Sequence, residues 1–273
     1  MNLNLFCPLC VKEQREALDD INVVAFDVPT PMSKPSDDGK YQTVCSKGHK
    51  CVITVTNLKY DILFELGLNS LLDNTTRDAV MNFTSSLEKF YEFFCKCQLH
   101  SIGCSQQALT DSWKVVSKQS ERQLGSYVIA FTNLTSTAPP ILNPNKEVKF
   151  RNRVIHDGYI PKPEEAYKYA EAVAKIIYRA SDELLKRIPE SVTHVHSLLS
   201  PLEDDKSDEK NWTEGACNII SAMDITNPCI GKSGHIKDIK EHLERIEKDR
   251  GPTQIFMTKS EDSLNALKRA IDD

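Results

Sequence analysis

The residues best suited to chemistry lie in one stretch, Phe150-Arg151-Asn152-Arg153-Val154-Ile155-His156-Asp157-Gly158. A guanidinium, a carboxamide and an imidazole fall within six residues. On a helix Asn152 and His156 share one face, and Arg151 starts a neighbouring row from which its long side chain can bend back. Val154 and Ile155 anchor the turn in apolar surroundings. A fixed cation, a neutral donor and acceptor, and a group of a type that titrates near neutrality together suit phosphate-ester chemistry.

A second set of reactive residues opens the chain. Cys7-Pro8-Leu9-Cys10 is a tight knuckle, and Cys45-Ser46-Lys47-Gly48-His49-Lys50-Cys51 follows it. Two thiolates from the first knuckle and a Cys/His pair from the second make a tetrahedral Zn²⁺ site that is closed to water and hence structural. Cys45, His49 and Cys51 compete for two places. Cys45 and His49 are preferred, because Cys51 opens the alternating strand Cys51-Val52-Ile53-Thr54-Val55-Thr56. The arrangement resembles a zinc ribbon with an unusually long spacer, which carries Pro29, Pro31 and Pro35. The ligand set is therefore Cys7, Cys10, Cys45 and His49.

These groups need a frame, and the pattern from Tyr60 onward is helical. Ile62, Leu63, Leu66 and Leu71 lead into the polar break Asp73-Asn74-Thr75-Thr76, a helix start. Ala79, Val80, Phe83, Leu87, Phe90, Tyr91 and Phe94 then form a wide apolar stripe, with Glu88 as a flanking carboxylate. Asp111 to Asn133 reads as one more helical stretch, and the proline-bearing segment from Thr135 to Pro144 as a loop. Pro161 and Pro163 start a long helix buried through Ala166, Tyr169, Ala170, Val173, Ile176, Ile177, Ala180, Leu184 and Ile188, which Pro189 ends. Four or five helices with antiparallel connections make an all-α bundle.

The remainder is less regular. The charged run from Leu202 to Asn211 reads as a linker. Ile239, Leu243 and Ile246, with Ile236, make an amphipathic helix, Gln254 to Thr258 a short strand, and Ser260 caps a last helix. Gly231-Lys232-Ser233 lacks the upstream glycine of a phosphate loop, since Thr226 stands there. Cys217, Cys229 and His235 are spaced too irregularly for a metal site, and His194 and His196 belong to a strand face or a loop. The expected organisation is a ribbon-like β module over residues 1–59, a helical bundle over 60–190, and a linker with a small α+β module over 191–273. The fold class is mainly α.

At 273 residues and a net charge of −5, no global basic field marks a nucleic-acid binder, so any RNA contact must be local. No apolar run approaches membrane-spanning length, and the N-terminus lacks a signal-peptide layout. Nine cysteines without an export signal argue for thiols and metal ligands. The expected compartment is the cytoplasm, with no membrane partner.

Taken together, Ser86-Leu87-Glu88-Lys89-Phe90-Tyr91, Ser120-Glu121-Arg122-Gln123-Leu124-Gly125 and the segment from Phe150 through Gly158-Tyr159-Ile160-Pro161 resemble the HEPN superfamily. Its signature is Arg, a polar residue, a few more residues and His, and the resemblance covers roughly residues 60–190. It implies a metal-independent ribonuclease, often a toxin or anti-phage effector, in which two protomers pair their Arg-x4-His segments in one composite cleft. By that resemblance Arg151 holds the scissile phosphate and Asn152 orients it. His156 then moves the proton of the ribose 2′-OH or of the leaving oxygen, and Glu88 is auxiliary. A homodimer, an RNA substrate and an antitoxin or defence-system partner are implied with it. Other members are non-catalytic binding or sensor modules.

Overall fold

The computed structural model describes residues 1–3, 5–17, 23–26, 30–201, 212–219, 221–223, 225, 239–248 and 255–258. The 202–211 linker, the Gly231-Lys232-Ser233 stretch, Cys229, His235, Ile236 and the helix expected after Ser260 lie outside them. The protein is mainly helical with small sheets, and it divides into two compact units.

The first unit comprises Met1–Thr56, Pro201–Ile219 and Ile246–Asp273. Its centre is a hairpin of β2 (Lys40–Val44) and β3 (Lys50–Val55), paired antiparallel with Tyr41 opposite Ile53 and Thr43 opposite Cys51. Tyr41, Thr43, Cys45, Cys51, Ile53 and Val55 are buried, the alternation that a half-buried sheet requires. The strand expected from Cys51 is thus present. A third strand, β4 (Thr213–Cys217), lies parallel to β3 with Ile53 opposite Gly215. A Cβ at Gly215 would collide with the ring of Pro8, so this position is confined to glycine. Helix α1 (Pro8–Ala17) begins immediately after Cys7, so the first cysteine knuckle opens a helix. Strands β1 (Val23–Phe26) and β5 (Ile255–Thr258) pair antiparallel.

The second unit comprises Asn57–Ser200 and Ile220–Arg245. Helix α2 (Lys59–Leu72) starts with the Asp61 carboxylate accepting the Leu58 N–H at 3.2 Å. It runs through Asn74, at φ +57°, into α3 (Thr76–Ser101). The predicted α3 stripe is buried throughout, and α3 is the hub on which α2, α5, α6, α7 and α8 pack. The phase expected for α2 needs correction. Tyr60, Phe64, Gly67, Leu68 and Leu71 face the core, while Ile62, Leu63 and Leu66 are only half-buried. A helix apolar on most sides carries no unique stripe. Its closest approach is at Gly67, where a Cβ would lie 2.5 Å from the Phe83 ring.

The single stretch expected over 111–133 is two helices, α4 (Gln106–Val116) and α5 (Ser120–Thr135). Gln119 is extended at ψ 130°, and the Gln123 amide donates to the Ser117 carbonyl at 2.9 Å across the break. Leu109 and Trp113 before it, and Tyr127 and Phe131 after it, are buried. The 144–148 segment is a π-helical turn leading into α6 (Lys149–His156). Helix α7 (Pro163–Arg187) buries the expected residues except Ile188, which is half-buried beyond its end. The long helix ends at Arg187, before Pro189 as expected, and Pro189 is itself the first residue of α8 (Pro189–Leu199). His194 and His196 therefore lie on a helix, and the His194 ring stacks on His100 with centroids 4.1 Å apart. The helix expected around Ile239 is α9 (Ile239–Lys248). Among the described residues, no helix is long and apolar enough to cross a membrane.

Candidate functional sites

Helix α6 is short because its ends are fixed by chemistry. It emerges from the π-helical turn and stops where Gly158 takes φ +71°, with the Asp157 and Tyr159 N–H groups both donating to the Arg153 carbonyl. Arg153 lies over the Tyr159 ring at 4.0 Å, and the Tyr159 hydroxyl donates to Glu165 at 2.8 Å. The loop beyond is held by Thr76, whose hydroxyl donates to the Pro161 carbonyl at 2.7 Å. Inward, Val154 is fully buried and Phe150 packs 5.7 Å from Tyr169.

Val154 and Phe150 therefore set the rotation of α6. Asn152 and His156 are exposed on one side, as their spacing requires, and Arg151 is half-buried on the flank. The Arg151 guanidinium donates from Nε at 3.1 Å and from Nη2 at 2.8 Å to the Asn152 Oδ1. That fixes the fork and turns the Asn152 amide nitrogen away as a donor. Among the described residues nothing hydrogen-bonds the His156 ring. Glu88, on α3, accepts from the Ser120 hydroxyl at 2.6 Å and does not bond to Arg151.

Two phenols underlie this group. Burial pushes Tyr91 and Tyr169 up, Tyr169 to about 12, and both hydroxyls feel the charges of Glu88 and Arg151. Tyr169 also exchanges a 2.9 Å hydrogen bond with Thr84. Tyr91, Tyr169 and Ser120 were not singled out from sequence as site residues. The aromatic stripe hides two of them, because a tyrosine in a core pattern reads as packing.

The second site is the cysteine cluster. One donor atom from each of Cys7, Cys10, Cys45 and His49 lies within 4.8 Å of all the others. The Cys10 Sγ is 3.7 Å from the Cys45 Sγ and 3.3 Å from the His49 Nδ1, and the Cys7 Sγ is 3.6 Å from the same nitrogen. Zn–S bonds of about 2.3 Å and a Zn–N bond of about 2.0 Å at tetrahedral angles imply donor separations of about 3.5–3.8 Å. The donor set therefore fits zinc. The turn is closed by the Gly48 N–H donating to the Cys45 carbonyl at 2.9 Å, with Gly48 at φ +83°. Cys51 is buried with its sulfur 3.3 Å from Cys7, but it is not part of the mutually close set.

Burial, with the adjoining Cys7 sulfur, pushes the Cys10 and Cys51 thiols up to about 12. Burial acts on Cys45 in the same direction, yet the N–H groups of His49 and Lys47 bring that thiol below its ordinary value. Crowded thiols resist ionising together, and a divalent cation relieves that cost. The His49 Nε2 lies 3.6 Å from Glu13, which Lys47 also grips at 2.9 Å. A carboxylate behind a ligating imidazole fixes the ring orientation, and no pattern in the chain announced Glu13 in that place.

A third polar group is fully buried in the helical unit. Glu65 on α2 accepts the Ala222 N–H at 2.8 Å and lies 2.6 Å from the His242 Nε2 of α9. The Arg245 Nη2 lies 2.9 Å from the His242 Nδ1. The same guanidinium nitrogen lies 3.2 Å from the His242 Nε2. Glu65 and His242 are 3% and 0% exposed, so this group holds structure together. Comparison with protein-family models, with curated proteins and with solved structures returned no match for the chain.

Proposed function

We propose that the protein is a metal-independent endoribonuclease of the HEPN type, acting as a toxin or anti-phage effector. The observation that carries this reading is the exposed α6 face, on which Arg151 is locked to Asn152 with His156 one helical turn further. The remaining Arg151 nitrogen, Nη1, and the Asn152 amide are donors suited to a phosphodiester. An imidazole beside them suits proton transfer at neutral pH. Attack by a ribose 2′-OH needs one group to accept its proton and another to protonate the leaving 5′ oxygen. One chain brings one histidine to this face, so two chains paired about a two-fold axis would supply both. Glu88 would then stay auxiliary, holding Ser120 at the α3–α5 contact.

In the same reading Cys7, Cys10, Cys45 and His49 hold a structural Zn²⁺ that takes no part in cleavage. The test incubates mixed RNA with the wild type and with His156→Ala in the presence of EDTA. The wild type should cleave, and the variant should be inert with an unchanged circular dichroism spectrum. That no group among the described residues orients His156 favours a second reading, a non-catalytic HEPN binding or sensor module. Equal inertness, or equal activity, of the two proteins would select it.

A further inference from the structure

A shallow, largely open groove of about 340 Å³ lies between the 140–147 segment and helix α7. One wall is Pro140, Ile141 and Leu142; the other carries Lys175, Ile176 and Arg179. The first wall is tied to α5, since the Tyr127 hydroxyl donates to the Pro140 carbonyl at 3.2 Å. Lys175 and Arg179 are one turn apart on α7, about 6 Å along its axis. Both are exposed, and neither makes an ion pair or hydrogen bond among the described residues. The facing carboxylate, Glu147, is occupied by the Asn143 N–H at 2.8 Å. Two uncommitted cations beside an apolar floor match a strand that offers phosphates on one side and base faces on the other.

The groove adjoins the α6 site. Glu147 lines it, lies one residue before the last of the π-helical turn that leads into α6, and acts on the same Tyr169 hydroxyl as Arg151 and Glu88. Ala172 and Ile176, which line the groove, follow Tyr169 along α7. Lys146 and Lys149, in the turn and at the start of α6, are exposed. We propose that this groove seats the single-stranded RNA flanking the scissile bond, with Lys175 and Arg179 on successive phosphates. This inference rests on the ribonuclease reading. It explains how a chain of net charge −5 would hold RNA, through a local basic track rather than a global field.

The test measures binding of a labelled 12-nucleotide uridine strand by fluorescence anisotropy between 50 and 200 mM salt. His156→Ala is the parent, so that the RNA survives, and Lys175→Gln/Arg179→Gln is added to it. Losing two phosphate contacts should weaken binding on the order of tenfold at low salt and flatten the log–log salt dependence by about 1.4. Lys175→Glu/Arg179→Glu should weaken it further. Circular dichroism controls for folding, which these exposed positions should not disturb. A parent that binds while both double variants match its affinity and salt slope overturns the groove and leaves the nuclease reading intact. A parent that binds no RNA overturns both.

Discussion

Replacing Glu65 by alanine should destabilise the helical unit more than any exposed substitution. The carboxylate is buried, bonded to the Ala222 N–H, and lies against His242 with Arg245 behind the ring. Removing one partner of such a group leaves buried polar atoms unpaired, at a cost of about 3–5 kcal/mol. Against a total of about 5–15 kcal/mol for a typical domain, that is a large share. Glu65→Gln keeps the shape and loses the charge, so about 1.5–3 kcal/mol is expected. Burial raises the Glu65 carboxyl, but the His242 imidazole, the Ala222 N–H and Arg245 together hold it below its ordinary value. A depressed carboxyl stabilises the fold above its unfolded pKa, and that contribution is lost as pH falls through the folded value. The Glu65→Gln deficit should therefore be full at pH 7 and shrink below the unfolded value of 4.5. Urea unfolding followed by far-ultraviolet circular dichroism measures it. A Glu65→Ala midpoint within about 1 kcal/mol of the wild type at pH 7 would refute the argument.

Gly67→Ala gains about 1 kcal/mol in helix propensity but drives a Cβ into the Phe83 ring at a cost toward the upper end of about 1–3 kcal/mol, so a net loss of about 1–2 kcal/mol is expected in the same assay. Elemental analysis should find about one zinc per chain in the wild type and in Cys51→Ser, and none in Cys10→Ser. Zinc retained by His49→Ala but lost from Cys51→Ser would move the ligand from His49 to Cys51. Sedimentation should show a dimer at micromolar concentration, and a monomer there would contradict a composite cleft. Arg151→Lys should recover only part of the cleavage lost in Arg151→Ala, because an ammonium lacks the fork that binds Asn152.

What the sequence revealed depended on range. The α3 and α7 stripes, the short α6 and the Cys51 strand were legible, because each is set by local periodicity and by its own stops. The Cys/His cluster was legible because knuckle spacing is itself the geometry. The phase of α2 was not, since apolar residues surround that helix and tertiary packing chooses Phe64 and Leu68. The break at Ser117-Lys118-Gln119 carries no proline or glycine to announce it. Strand β4 gains its partner only through β3, more than 150 residues earlier, a pairing no local pattern encodes. Glu65 and His242 are likewise 177 residues apart. Asp61 and Glu65, two acids within an otherwise apolar run, were the one available sign.

The central claim, cleavage by 2′-OH attack through Arg151 and His156, is tested most directly by the ends it leaves. Purified protein is incubated in EDTA with a defined RNA strand and with the same strand carrying a single 2′-deoxy substitution at the cleaved position, and the termini are read by mass spectrometry. The account predicts a 2′,3′-cyclic phosphate and a 5′-hydroxyl from the first strand and no cleavage at the substituted position of the second. A 5′-phosphate with a 3′-hydroxyl, or cleavage at the 2′-deoxy position, would contradict it.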